Sequence, residues 1–209
     1  MVFRCFVEKK KGFDIFAKNI ESELISGLGI SQISSVRVFN RYDFSGVDPA
    51  FLENVKNTVL SEPPVDICYD EVLPEFEDAP FIYAVESLPG QYDQRADSAA
   101  QCIQILLGGN RPVVRSGLVY VIFGVLSQED KAKIRDFLVN PVETREASGD
   151  KPLTLEAVYP EPDMVRTLDG FTQMNEKELQ SLLDELGLAM DLEDLKTLHT
   201  YFQTEGRNP

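Results

Sequence analysis

Residues 118–123 read Leu-Val-Tyr-Val-Ile-Phe, a run of six apolar and aromatic side chains without a charge. Successive side chains of a β-strand point to opposite faces of the sheet. A strand made only of such residues therefore needs cover on both of its faces. The run predicts a strand that is buried from both sides.

This strand belongs to the second copy of a repeat of about 78 residues. A collinear series of matches at a nearly constant offset indicates an internal duplication rather than chance. The offset stays between 77 and 79 residues in matches such as Val7-Glu8 with Val85-Glu86, Asp14 with Asp93, Tyr42 with Tyr120, and Pro64-Val65-Asp66 with Pro141-Val142-Glu143.

Each copy has the pattern of a β-α-β-α-β module. The first predicts a strand over 2–8, a helix over 14–29, a strand over 36–44, a helix that opens at Asp48-Pro49 and a strand over 65–69. The second predicts strands over 81–86 and 117–123, helices over 93–107 and 128–138, and a strand near Val142. Asp14 and Asp93 are placed to cap their helices. The strand 36–44 is either straight, or bent or paired with itself around Asn40.

One module, with two helices over one face of its sheet, leaves the other face in water. Burying a large apolar side chain stabilises a fold by about 1.5–3 kcal/mol, so several exposed together would be a liability. A second copy, packed sheet to sheet or edge to edge, removes this exposure. We expect an α+β fold in which residues 1–150 form a pseudo-two-fold fused dimer, with copies at about 1–72 and 80–147.

The remaining residues, 151–209, are expected to form an acidic linker domain with two helices near 175–186 and 192–204. Asn175, with Glu178 three residues later, predicts a capping box at the start of the first helix. Asp191 is placed to cap the second. Residues 148–174 predict an extended connector.

The net charge of −15 lies mostly in two stretches, 61–80 and 141–209. Such a surface repels a phosphate backbone, so we predict no nucleic-acid partner. The acidic side chains of these two stretches either keep the chain soluble or complement a basic surface on a partner. No run approaches the ~20 apolar residues that cross a bilayer, so we predict no membrane partner. Three scattered cysteines, Cys5, Cys68 and Cys102, predict buried free thiols and a cytoplasmic location rather than a disulfide or metal site.

Residues with catalytic chemistry are scarce. The only histidine, His199, is expected to face solvent on the last helix, and the chain has no glycine-rich phosphate loop. Glu8 and Glu86, at equivalent strand ends, are expected to be solvated or paired with a cation. The segments 40–43 and 110–112 are recognition loops or ordinary turns. We predict no catalytic, cofactor-binding or metal-binding residue in this chain.

Five segments carry a resemblance to a known family: FVEKKKGF at 6–13, VFNRYD at 38–43, NPVETREA at 140–147, DGFTQMNEKEL at 169–179 and LGLAMDLEDL at 186–195. Together they resemble the N-terminal end of large single-chain phosphoribosylformylglycinamidine synthase (formylglycinamide ribonucleotide amidotransferase). The last forty residues are similar to that family's linker domain. The repeated module resembles the small S subunit that dimerises in the multi-subunit form of the enzyme.

The resemblance implies a non-catalytic scaffold segment of an ATP- and glutamine-dependent ligase of purine biosynthesis. The complete enzyme would convert formylglycinamide ribonucleotide to the amidine with ATP and magnesium, and this segment would hold no cofactor. Its partners would be the catalytic synthetase and glutaminase domains of the same chain, which it would dock while it helps to enclose the ammonia path. The 209 residues alone would be inactive. Asn40, Arg41, Tyr42 and Arg145 are our candidate interdomain contacts.

Two other interpretations remain open. The first is a free-standing module that binds a small molecule or a protein in a pseudo-symmetric groove. The second is a small enzyme in its own right.

Overall fold

The computed structural model describes residues 1–156 and 164–209, which belong to two compact units. The first unit, up to residue 156, contains strands and helices, and the second, from residue 164, is helical. The predicted connector 148–174 lies partly outside the described residues, at 157–163. Each unit is described by itself.

The first unit is built on a six-stranded antiparallel sheet with the order β3-β1-β2-β5-β4-β6. The strands are β1 (Val2–Lys9), β2 (Ile33–Ser45), β3 (Asp66–Asp70), β4 (Phe81–Ser87), β5 (Val113–Gly124) and β6 (Thr144–Glu146). The α+β class is therefore as the sequence predicts.

The two long strands, β2 and β5, pair with each other at the centre of the sheet. Val119 and Val121 of β5 are buried on one face, and Tyr120 and Ile122 are buried on the other. The prediction that 118–123 is covered on both sides is confirmed. The possibility that 36–44 bends back on itself is wrong, because β2 is a single strand that pairs with β1 along one edge and β5 along the other.

Four helices of the first unit pack on one face of the sheet, which we call the helix face. They are α1 (Ile15–Ser22), α2 (Leu52–Val55), α3 (Gln94–Leu107) and α4 (Gln128–Leu138). A π-helical turn over Glu23–Gly27 continues α1. A 3₁₀ turn over Pro49–Phe51 precedes α2, and a π-helical turn over Lys56–Leu60 follows it. Leu24, which follows α1, shares a buried cluster with Tyr83 of β4 and Ile134 of α4. The core on this face is thus continuous from the first half of the unit to the second.

No helix of the described residues covers the opposite face, which we call the open-side face. Phe6, Phe39 and Val121 are buried there beneath Leu73 and Phe76 of the connector 71–80. A second stretch, the crossing segment 147–156, passes over the same face. The two halves join edge to edge through β2 and β5, which is one of the two arrangements that we expected. The expectation that each half shields the sheet of the other is wrong for this face, because these irregular segments provide the cover.

The predicted helix caps are mostly present. Asp93 Oδ1 accepts a hydrogen bond from the backbone N–H of Ala96 at 2.9 Å, which caps α3. Asp48 caps the turn that leads to α2 in the same way. The prediction for Asp14 is wrong, because its carboxylate accepts from the N–H of Gly12 and makes no bond to α1.

The second unit consists of a 3₁₀ turn over Phe171–Gln173, then α5 (Glu176–Leu186) and α6 (Leu192–Glu205). Asn175 with Glu178 forms the predicted capping box, and Asp191 caps α6. Phe171, which is 2% exposed, is buried with Leu179 of α5 and Leu195 of α6. The turn before α5 therefore supplies the aromatic side chain around which the two helices pack.

Candidate functional site

Two of the four candidate contact residues meet on the open-side face. Arg41 of β2 donates from Nη2 to Glu86 Oε2 at 3.1 Å, and Arg145 of β6 donates from Nη2 to Glu86 Oε1 at 2.8 Å. Arg41 is buried, whereas Arg145 is exposed at the sheet edge. Gly117 lies opposite Arg41 on β5, and a Cβ there would lie only 2.9 Å from the carbonyl oxygen of Val85 on β4, so the close approach of the two strands requires glycine.

A buried ion pair extends this cluster toward β1. Arg4 Nε donates to Asp43 Oδ1 at 2.6 Å, and Arg4 Nη2 donates to Asp43 Oδ2 at 2.9 Å. Both side chains are at most 4% exposed. Arg41 Nε lies 3.5 Å from the same carboxylate. Burial lowers the pKa of Arg41, and the charge of Asp43 opposes that change. The guanidinium groups are thus held by carboxylates within a dry region.

This ionic cluster consists of three arginines and two carboxylates: Arg4, Arg41, Arg145, Asp43 and Glu86. Backbone carbonyl groups of the crossing segment accept further hydrogen bonds from its arginines. Arg41 Nη1 donates to the carbonyl of Ser148, and Arg4 Nη1 donates to that of Gly149, each at 2.7 Å. Arg115 of β5 donates to the carbonyl of Leu155 at 2.6 Å. Three neighbouring strands therefore hold the crossing segment by its main chain.

The strand-end glutamates are both paired with arginine, one of the two states that we expected for them. Glu8 accepts from Arg37 Nε and Nη2, each at 2.6 Å, and this bond raises the pKa of Arg37. Glu86 accepts from Arg41 and Arg145.

The other two candidate contact residues, Asn40 and Tyr42, lie on the helix face. The Tyr42 hydroxyl accepts from Arg95 Nη1 at 3.3 Å and is buried. Asn40 lines a cavity of about 300 Å³, together with Phe16, Ala17, Val38, Arg95 and Leu118. The four residues thus lie on two faces of one sheet, and their contact with another domain stays a prediction.

A pair of thiols lies on the helix face between β1 and β3. Cys5 is opposite Asp70 in the register and Cys68 is opposite Val7, which makes the cysteines diagonal neighbours. The Cys5 S–H group donates a hydrogen bond to the Cys68 sulfur, which lowers the pKa of Cys68 to about 7 and raises that of Cys5. All three cysteines are free, as predicted, but only Cys5 is fully buried, and Cys102 is exposed on α3.

The part of the chain that the structure describes contains neither a cluster of metal ligands nor a membrane-spanning helix. Across 1–156 and 164–209, no group of three or more His, Cys, Asp and Glu side chains could hold a metal ion. No helix in those ranges is both long and apolar enough to span a membrane. The prediction that His199 faces solvent is wrong in part, because the residue is partly buried on α6 and its ring lies edge-on to Phe171 with centroids 5.5 Å apart.

A scan of the chain against protein-family models and a search of curated proteins found no match.

Proposed function

We propose that residues 1–150 are one module written twice and fused into a pseudo-two-fold dimer. The support is the strand register, because pairs in the second half repeat those of the first exactly 78 positions later in the chain. The matching pairs are Val7–Asn40 with Val85–Leu118, and Val7–Cys68 with Val85–Glu146.

The joint between the halves has the symmetry that this proposal requires. Asn40 of β2 lies opposite Leu118 of β5, and these two residues are themselves 78 positions apart. A two-fold axis between the copies would pass through this pair. The same two side chains line the cavity on the helix face. The cavity therefore lies beside the proposed axis.

We propose further that the chain is the non-catalytic N-terminal scaffold and linker segment of a phosphoribosylformylglycinamidine synthase. The observation that carries this proposal is the paired β2–β5 joint, since the family's S subunit is expected to dimerise and a fused pair would place two such modules in one chain. The segments at 140–147, 169–179 and 186–195 that resemble the family add support. The second unit would then be the linker domain.

In this role the chain docks the synthetase and glutaminase domains of the complete cytoplasmic enzyme and helps to enclose the ammonia path. ATP and magnesium act in those catalytic domains, where the formyl amide oxygen is activated and ammonia displaces phosphate. The contribution of this segment is positioning. Arg145, which is exposed at the sheet edge and paired with Glu86, suits a surface against which another domain packs.

The test is reconstitution with the separately expressed synthetase and glutaminase domains. We expect the purified 209-residue chain to form no amidine from formylglycinamide ribonucleotide, ATP, magnesium and glutamine. We expect it to bind the catalytic domains and to raise their amidine formation, measured by a product assay and by calorimetry. Amidine formation by the chain alone, or no binding to the catalytic domains, would refute the proposal.

A charge reversal at the candidate contact surface makes this test more specific. We expect Arg145→Glu to weaken binding to the catalytic domains by about tenfold or more, which corresponds to about 1.4 kcal/mol, because repulsion from Glu86 then replaces the ion pair at the proposed contact surface. Lys133→Glu on α4 is the matched control, since Lys133 makes only an exposed ion pair with Glu129. Equal effects of the two reversals would remove Arg145 from the contact surface.

The cavity favours a second candidate function, that of a free-standing module for a small molecule. Its volume suits a small polar ligand, because apolar side chains line it together with Asn40, Arg95 and the charged residues Glu8, Lys9, Asp14 and Arg37. This candidate predicts that a ligand at 100 times its Kd stabilises the chain by about 2.7 kcal/mol, seen as a higher Tm. Asn40→Leu should abolish that shift. A metabolite screen without a stabilising compound would count against it.

A further inference from the structure

The thiol cluster on the helix face consists of groups from three elements. Cys5 belongs to β1, Cys68 and Asp70 belong to β3, and Lys56 belongs to the π-helical turn after α2. Cys68 and Asp70 are two residues apart on an extended strand, so their side chains point the same way. Cys5 lies directly opposite Asp70. The register alone therefore brings the two thiols and one carboxylate together.

Lys56 brings a cation to this cluster. Its Nζ lies 2.7 Å from Asp70 Oδ2, and the side chain is only 10% exposed. The ammonium is held next to the strand that carries Cys68, and it favours the negative form of that thiol. The Ser61 hydroxyl, at the end of the same turn, donates to the carbonyl oxygen of Lys56 at 2.8 Å.

Most other charged groups near the cluster are acidic, and Lys9 is paired with one of them, Asp66, at 2.9 Å. Glu53 pairs with Lys56, and Asp66 lies on the same strand as Cys68, where its charge disfavours the thiolate. The side chains that α3 packs against this region, Ala99 and Ile103, are apolar. The pKa of Cys68 is nevertheless lowered to about 7, first of all because the S–H group of Cys5, its diagonal neighbour across the strand pair, donates to its sulfur. Cys68 is partly exposed on an edge strand, so a small reagent can reach it.

We propose that Cys68 is a modification site. The Cys5 S–H group and the Lys56 ammonium stabilise its thiolate, which acts as a nucleophile toward hydroperoxides and other soft electrophiles. With hydrogen peroxide, the Cys68 sulfur forms a bond to one oxygen as the O–O bond breaks. The sulfur loses two electrons and becomes a sulfenic acid, the peroxide is reduced, and the departing hydroxide takes a proton to form water. The sulfenic acid of Cys68 then either persists or condenses with the Cys5 thiol to form a disulfide and water. In both cases the attack by Cys68 on the peroxide is the first step.

The test is the pH dependence of alkylation by iodoacetamide, followed for each cysteine by mass spectrometry. We expect the Cys68 rate to reach half of its maximum near pH 7 in the folded chain. In urea the midpoint should move up toward about 8.5, the value of an ordinary cysteine. At pH 7 the folded chain should label at Cys68 about threefold faster than the unfolded chain, because its larger thiolate fraction outweighs its lower nucleophilicity.

Variants separate this arrangement from simple exposure. Cys5→Ala removes the donor and should raise the Cys68 midpoint by about one pH unit or more, while Cys5→Ser keeps an O–H donor and should raise it less. Lys56→Met should produce a smaller rise. Circular dichroism checks that each variant is folded, and the urea comparison of the unaltered chain stands even if a variant is not.

Oxidation provides the second readout, with Cys102 as the internal control because it is the more exposed thiol. Low hydrogen peroxide followed by a dimedone-type probe should mark Cys68, or link it to Cys5, before it marks Cys102. A Cys68 midpoint that is the same in the folded and unfolded chain, no response to Cys5→Ala, or preferential oxidation of Cys102 would each overturn the proposal.

Discussion

Replacing Asp43 with alanine should lower the free energy of unfolding by about 3–5 kcal/mol, because it leaves buried cations without their partner. Arg4 is bonded to this carboxylate through two nitrogens, and Arg41 lies 3.5 Å from it. Neither guanidinium can reach water without disturbing the sheet, since both are at most 6% exposed. Urea unfolding followed by circular dichroism measures the loss.

An exposed ion pair in the same unit provides the control. Glu129→Ala breaks the pair with Lys133 on the surface of α4 and should change the unfolding free energy by less than about 0.5 kcal/mol. Asp43→Asn should fall between the two, because the amide oxygen still accepts a hydrogen bond although the charge is gone. A loss below about 1 kcal/mol for Asp43→Ala would show that the buried pair contributes little to stability.

Replacing Gly124 with alanine should destabilise the first unit by about 3 kcal/mol or more. Gly124 has φ +139°, and a Cβ built there would lie 2.2 Å from the carbonyl oxygen of Gln32. An L-residue in this conformation is strained by about 1–3 kcal/mol, and the clash with backbone adds an overpacking penalty of similar size. Because Gly124 pairs with Ile33 at one end of the β2–β5 joint, the change should loosen that joint first.

Gly149→Ala is the matched control, since a Cβ there meets no atom within 4 Å and the residue has no positive φ. It should change stability by no more than about 0.5 kcal/mol. Urea unfolding gives the free energies, and hydrogen exchange should show faster exchange at the Gly124 end of β2 and β5 in the Gly124 variant alone. Equal stabilities of the two variants would contradict the prediction.

Local patterns in the sequence were sufficient to predict most elements of the fold. The run 118–123 predicted a doubly buried strand, and Asn175 with Glu178 predicted the start of α5, because both features depend on residues close in the chain. The cover on the open-side face was not predicted. Leu73 and Phe76 lie in an acidic, proline-containing stretch, and such a composition suggests a solvated connector until the sheet beneath it is known.

The ionic cluster was predicted only in part, for a similar reason. Arg41, Arg145 and Glu86 were each singled out, but their meeting depends on the register of four strands, β2, β5, β4 and β6. The pair of Arg4 and Asp43 was missed. A signal did exist, since each is a charge inside an apolar strand at a position that alternation directs to the same face as Phe6 and Phe39.

The arginines that hold the crossing segment bind peptide carbonyls, which every amino acid possesses. The route of the chain over the sheet is consequently independent of the side chains that it bears there. Substitutions at positions such as Ser148 and Asp150 can therefore accumulate during evolution without changing the place at which the chain leaves the sheet. The arginines of β1, β2 and β5, and not the sequence of the crossing segment, determine that place.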